Sequence, residues 1–165
     1  MAKLMVDTWL EAHADQIPRH LWESRRTDWT YAISERGWRR TITDIASGAT
    51  PNDLILLACD DQTLAGLASC SAADGLSRVS LGALYVAPPY QQRGIGRSLL
   101  GEVLTRYAAL GAGSIQLGVL AANKPAQKFY EAVGGKLSGQ RTFNEQGEQL
   151  PELVYTWELM RGNDE

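Results

Sequence analysis

From Leu84 to Leu100 the chain reads Leu-Tyr-Val-Ala-Pro-Pro-Tyr-Gln-Gln-Arg-Gly-Ile-Gly-Arg-Ser-Leu-Leu, and this stretch restricts the fold more than any other. The run that leads into it, Arg78 to Val86, has the composition and length of a strand. Pro88 and Pro89 must end that strand, because a proline donates no ladder hydrogen bond and restricts the residue before it. Beyond Gly94, the apolar residues Ile95, Leu99, Leu100, Val103, Leu104 and Tyr107 recur with the spacing of a helix buried on one side, which Gly111 and Gly113 close. A strand that passes through so short a loop into a helix aims several unpaired backbone N–H groups at one point, the positive end of the helix dipole. Such a point is an anion cradle. Gly94 and Gly96 remove side chains that would keep a pyrophosphate from those donors, and Arg93 and Arg97 add charge nearby.

Two glycines one residue apart also suit a tight turn that binds nothing, so spacing has to discriminate. A dinucleotide fingerprint requires a third glycine three residues after the second, and position 99 is Leu. A phosphate loop of the nucleotide-hydrolase type ends in Gly-Lys-Ser/Thr, which is absent here. What remains is Gln91-x-x-Gly94-x-Gly96 behind an apolar strand.

The rest of the chain supplies the partners of this unit. Val6 to about Ser47 is helical in character, with one helix ending near Gln16, a second starting at Pro18 or Arg19, and breaks at Gly37 and at Gly48 with Pro51. Asp53 to Cys59 and Thr63 to Cys70 form a hairpin about Asp60-Asp61-Gln62, and Asp74-Gly75 marks the next turn. After the long helix come a strand from Ser114 to Leu120, a short helix from Pro125 to Val133, and strands Lys136 to Phe143 and Glu152 to Leu159 around a polar Asn144-to-Gln149 turn. This alternation implies an α/β fold: a mixed sheet with helices on its faces, in which the strands before and after the long helix are natural parallel partners.

At 165 residues, one domain is the expectation. Its 19 acidic and 16 basic residues leave a charge of -3, which argues against a nucleic-acid or anionic-membrane partner. Cys59 and Cys70 are too few for a disulfide scaffold and read as reduced, buried thiols. No apolar run approaches the length of a membrane span, and charged residues interrupt the first fifteen positions, so the expectation is a cytoplasmic protein. His13 and His20 lie either side of Pro18, which argues against a two-histidine metal site; no metal is expected.

The Gln91-x-x-Gly94-x-Gly96 pattern resembles the GNAT superfamily of acetyl-CoA-dependent N-acetyltransferases. Asn123-x-x-Ala126-x-x-Phe129-Tyr130-Glu131-x-x-Gly134, following the strand Ile115 to Leu120, resembles a second motif of that family. Pro151-Glu152-Leu153-x-Tyr155 is similar to its last strand. The resemblance spans roughly Leu54 to Leu159, and two linked motifs in order are far more specific than either alone. It implies a mostly antiparallel sheet of six to seven strands with a parallel, splayed pair at the cofactor site. It also implies a strand before the first helix, for which only Met1 to Met5 is at hand. Residues 1–50 would form a helical acceptor side and residues 51–165 the sheet and acetyl-CoA side of one acyltransferase domain.

Carried over by position, the resemblance implies that Leu84, Tyr85 and Val86 line the pantetheine arm, where the strand bulges. Gln91, Gln92, Arg93, Gly94, Ile95, Gly96, Arg97 and Ser98 would form the loop and first helical turn that hold the pyrophosphate. Asn123 would contact the cofactor, and Tyr130 would stand near the thioester sulfur as general acid. A phenol of pKa about 10 can give a proton to a thiolate of reference pKa about 8.5 while staying un-ionised at pH 7. Without the motif, Tyr130 reads as a core tyrosine beside Phe129 and Val133, and Asn123 as the cap of the helix at Pro125.

The base is harder to place. A lysine-type amine, of pKa about 10.4, is neutral in about one molecule in two thousand at pH 7, so its attack needs a proton acceptor. Ser80, Leu81, Gly82 and Ala83 occupy the strand where many family members carry an acid. Glu11, His13, Asp15, His20, Glu23 and Asp28 are better read as solvated helix-face residues. Among Trp9, Trp22, Trp29 and Trp38, at least one could wall an acceptor site.

The reading that results is transfer of an acetyl group from acetyl-CoA to a primary amine, on a small molecule or a peptide amino terminus, by direct attack through a tetrahedral intermediate. The alternatives are a CoA-binding regulatory module that has lost transfer, or a transferase of a longer acyl group. An unpaired sheet edge would allow a homodimer.

Overall fold

The computed structural model describes residues 1–73 and 75–159. Three helices open the chain: α1 (Ala2–His13), α2 (Arg19–Asp28) and α3 (Tyr31–Ala46). They are followed by β1 (Leu54–Asp60), β2 (Thr63–Ser71), β3 (Val79–Val86) and a single 3₁₀ turn at Pro88–Tyr90. Then come α4 (Ile95–Ala109), β4 (Ser114–Leu120), α5 (Lys124–Ala132), β5 (Lys136–Glu145) and β6 (Glu148–Glu158). The strands form one six-stranded sheet in the order β1-β2-β3-β4-β6-β5. All neighbours are antiparallel except β3 and β4, the pair joined through α4. This is the mixed α/β architecture that the sequence implies.

Alternation along the strands divides the core. On one face Ala68, Cys70, Val79 and Leu81 pack with Leu99, Leu100, Val103 and Tyr107 of α4, and Tyr130 and Val133 of α5 join them. On the other face Leu67 and Ala83 meet Leu4 of α1 and Trp38 of α3, while Leu120 meets Trp9, Ile17 and Leu21. The sheet is therefore a septum with the helical amino-terminal region on one side and α4 and α5 on the other.

Several boundaries differ from expectation, each for a local reason. Gly37 does not break α3, which runs through it on an exposed face. Thr30 caps the helix by accepting from the Ile33 amide at 3.3 Å, and the Arg39–Glu35 pair at 2.6 Å spans the glycine's turn. These offset the ~1 kcal/mol that glycine costs in a helix interior. Helix α1 starts at Ala2 and ends at His13, so no strand precedes it among the described residues. The chain turns early to bury Ile17 before Pro18 starts α2. The polar turn after Phe143 shrinks to Gln146-Gly147, whose φ values of 52° and 91° make a tight hairpin turn. Strand β6 consequently begins at Glu148. Pro151 is tolerated in it because β4 pairs with β6 only from Glu152 onward. Cys70 is buried as expected; Cys59 is exposed. The turn residue Asp74 lies outside the described residues. No helix among the described residues is long and apolar enough to cross a membrane.

Candidate active site

Strands β3 and β4 share only two register pairs, Val79 with Ile115 and Ser80 with Gln116, and then part. On its other side β3 stays paired with β2 up to Val86. The register there skips Gly82, since Ser69 faces Ala83 and Cys70 faces Leu81. The bulge therefore falls at Gly82, two residues before the Leu84-to-Val86 segment where the family resemblance implied it. An extra residue on one strand increases the local bend and twist, and it leads β3 away from β4. The gap opens into a cavity of about 1100 Å³ that is walled by both faces of the septum.

At the mouth of the gap the loop turns into α4. Gly94 is the N-cap with φ +83°, a left-handed conformation that costs a side-chain-bearing residue about 1–2 kcal/mol, and no side chain caps the helix. Among the described residues, no protein acceptor takes the amides of Gln92, Arg93, Gly94, Ile95, Gly96 and Arg97. Ser98 differs from expectation: its amide is already bonded to the Gly94 carbonyl at 2.9 Å, as the first regular bond of the helix, and Ser98 does not line the cavity. Arg93 also falls outside the lining, because its guanidinium sits over the Tyr90 ring at 5.4 Å. Arg97 does line the cavity, with Nη2 donating to the Ala132 carbonyl at 3.4 Å. Gln91 lines it too and ties the loop back to β3 by donating to the Val86 carbonyl at 3.0 Å.

The remaining sequence-suggested residues converge on the same space. Leu84, Tyr85 and Val86 lie along the open edge of β3, and Gln92, Gly94, Ile95 and Gly96 form the loop side. Asn123 caps α5, its Oδ1 accepting from the Ala126 amide at 3.2 Å, and it also lines the cavity. Capping and exposure to the site coexist. Tyr130 is wedged among Phe129 (5.3 Å between ring centres), Tyr155 (5.9 Å) and Trp157 (6.0 Å). Burial, and secondarily the neighbouring Tyr85, push its hydroxyl well above the ordinary phenol range. Burial likewise pushes Tyr85 up to about 12, against a smaller opposing pull from Arg25. Both phenols remain protonated at neutral pH.

The other side of the cavity was not resolved by sequence. Trp9 and Trp29 line it, whereas Trp22 and Trp38 pack into the helical region, as packing alone would have them. The Arg25 guanidinium lies 5.2 Å from the Trp9 ring centre and 5.1 Å from that of Trp29, and its Nη2 donates to Glu145 at 2.8 Å. Glu145 is 2% exposed. The cationic slot between the two tryptophans is thus filled by the protein's own arginine. His13 stacks on Trp9 at 4.5 Å, and its Nδ1 donates to the Trp9 carbonyl at 2.8 Å, so the neutral ring carries its lone pair on Nε2.

Burial lowers the pKa of His13, outweighing the Trp9 carbonyl and Glu145, which raise it. A depressed folded-state pKa favours the neutral ring in the native state, so this group's contribution is present above about pH 6.5 and is lost as pH falls below it. The expected outcome is a smaller loss of Tm between pH 7 and pH 5.5 in His13→Gln than in the parent. An equal loss would show that His13 does not sense pH.

Known proteins resemble the chain in sequence and in fold. The chain is 38% identical over 93 residues to an uncharacterised N-acetyltransferase of Mycobacterium tuberculosis, a match covering 56% of this chain and 59% of that relative. In fold it is similar to the PaiA N-acetyltransferase of Thermoplasma acidophilum, solved with coenzyme A (TM-score 0.74, 21% identity, 95% of this chain and 89% of that one). It is also similar to a putative acetyltransferase, YncA, of Salmonella typhimurium, solved with acetyl-CoA (TM-score 0.66, 17% identity, 98% and 91%). The model of the Acetyltransferase (GNAT) family matches residues 15–135, which takes in α2 to α5, the splayed strand pair and the open amides of α4, and the chain belongs to that family.

Proposed function

We propose that the protein transfers an acetyl group from acetyl-CoA to the primary amine of a small molecule or a peptide amino terminus, by direct attack. The observation that carries this reading is the row of unbonded amides at Gln92 to Arg97, in a loop whose Gln92, Gly94, Ile95, Gly96 and Arg97 line the same cavity as the β3–β4 gap and Tyr130. Unpaired N–H groups at a helix start demand an acceptor, and a diphosphate satisfies several at once. The residues fit the cofactor: the gap offers the unpaired edge of Leu84, Tyr85 and Val86 to an extended pantetheine arm, much as a sheet edge takes an added strand. Two relatives of this fold were solved with coenzyme A or acetyl-CoA, which supports the same assignment.

Acetyl-CoA supplies the acetyl group as an activated thioester. In this reading a backbone N–H at the end of β3 stabilises the developing oxyanion. Tyr130, kept protonated by burial, gives its proton to the departing sulfur. The helical side of the cavity, with Trp9, Trp29 and His13, receives the amine.

Calorimetry with CoA and free-thiol release with acetyl-CoA test this reading. Binding in the micromolar range is expected, together with thiol release from at least one of a polyamine, an aminoglycoside, lysine amide or an alanine-terminated peptide. No heat with CoA would overturn the cradle. Heat without thiol release would favour a binding module, and release only with longer acyl-CoA a different donor.

A further inference from the structure

An amine that is protonated at pH 7 must give up a proton before it can attack, and β3 provides no carboxylate to take it. Two carboxylates line the cavity, Glu11 and Glu152. Glu11 is exposed at the far end of α1, whereas Glu152 is 9% exposed on β6. Glu152 pairs with Leu120 across the β4–β6 ladder, so both project from the same face. Leu120 packs with Trp9, Ile17 and Leu21, so that face is the one that meets the helical acceptor side. The Glu152 carboxylate lies across the bare backbone of Gly118: a Cβ at 118 would overlap its carboxyl carbon and both oxygens. Arg141 of β5 donates to Oε2 and holds the group there, leaving Oε1 without a protein donor among the described residues. Burying a carboxylate is costly, and an apolar residue at 152 would serve the sheet as well. Tyr130 belongs to α5, on the opposite face, and reaches the same cavity.

We infer that Glu152, seated over Gly118, is the group that takes the proton from the acceptor amine. This inference rests on the transferase reading above. The ammonium gives one proton to the Glu152 carboxylate. The freed nitrogen forms the C–N bond, the C–S bond then breaks, the sulfur takes the Tyr130 proton, and Tyr130 recovers a proton from the new amide nitrogen through water. Glu152 then returns its proton to solvent, so each turnover releases one proton and free CoA.

The test compares two kinds of acceptor in Glu152→Gln: the panel amine that the parent protein acetylates fastest, and hydroxylamine, which is already neutral at pH 7 and needs no deprotonation. The variant is expected to lose about 10²-fold in kcat with the primary amine, keep its KM for acetyl-CoA, and stay within about threefold of the parent with hydroxylamine. Gly118→Ala, which displaces the carboxylate without removing it, is expected to show the same selective loss. Equal losses with both acceptors, or no loss with either, would overturn the role of Glu152 while leaving the transferase reading intact. Absence of thiol release in the parent protein with every acceptor would overturn both.

Discussion

Tyr130→Phe is expected to lower kcat about 10³-fold while the dissociation constant for CoA stays within about twofold. The substitution removes one oxygen and nothing else. Its ring remains wedged among Phe129, Tyr155 and Trp157, so neither the cavity wall nor the amides at the start of α4 should move. What is lost is the only part of the side chain able to donate a proton, and in the proposed reaction the sulfur would then leave as an unassisted thiolate. The burial that raises this hydroxyl's pKa adds a second signature. Because the folded phenol ionises above its ordinary value of about 10, kcat should show no fall assignable to Tyr130 as pH rises from 7 to about 10. Turnover unchanged in the phenylalanine variant would exclude Tyr130 as the acid. A CoA affinity that fell in step with kcat would instead make it a binding residue.

Arg25→Leu carries the largest expected cost in stability. Glu145 is 2% exposed, and its Oε2 has Arg25 as its partner. Glu145 Oε1 and Arg25 Nε already lack partners among the described residues, so the pair has no reserve of hydrogen bonds. Removing the guanidinium strands a buried carboxylate and empties the slot between Trp9 and Trp29; breaking a buried pair in this way costs about 3–5 kcal/mol. For a chain of this length that corresponds to a Tm lower by roughly 6–20 °C. The double variant Arg25→Leu with Glu145→Leu removes the stranded charge and should recover most of the loss, since an apolar pair of similar volume often replaces a buried ion pair at little cost. Thermal unfolding followed by circular dichroism checks both. A single variant within 1 °C of the parent would mean that solvent reaches Glu145 readily, and a double variant no better than the single one would locate the stability in the tryptophan contacts instead.

Much of the fold was legible because its signals are local. The β3-loop-α4 unit follows from two prolines that cannot sit in a ladder, two glycines, and a helical apolar stripe that ends at Tyr107. The hairpin of β1 and β2, the start of α2 after Pro18, and the capping of α5 by Asn123 are read the same way. Gly37 misled because an isolated glycine has the same local signature whether a helix stops at it or runs through it. The outcome depended on capping and ion pairs up to seven residues away. Strand β5 reached Glu145 because a buried partner, Arg25, waits for it across 120 positions of sequence, and the polar look of Asn144 to Gln149 concealed this. In the candidate site, the loop with the open amides was contiguous in sequence and therefore visible. Even so, Arg93 turned to Tyr90, and Ser98 proved to be one residue beyond the open amides.

The amino-acid order alone determined the element types, the family likeness and the position of the open amides at the start of α4, because each depends on backbone chemistry within a few neighbouring residues. Tertiary structure decided what faces those amides. It set the bulge at Gly82, filled the Trp9–Trp29 slot with Arg25, and brought Glu152 over Gly118. Those contacts join strands and helices far apart along the chain, and their register is set by which face each strand buries in the finished sheet.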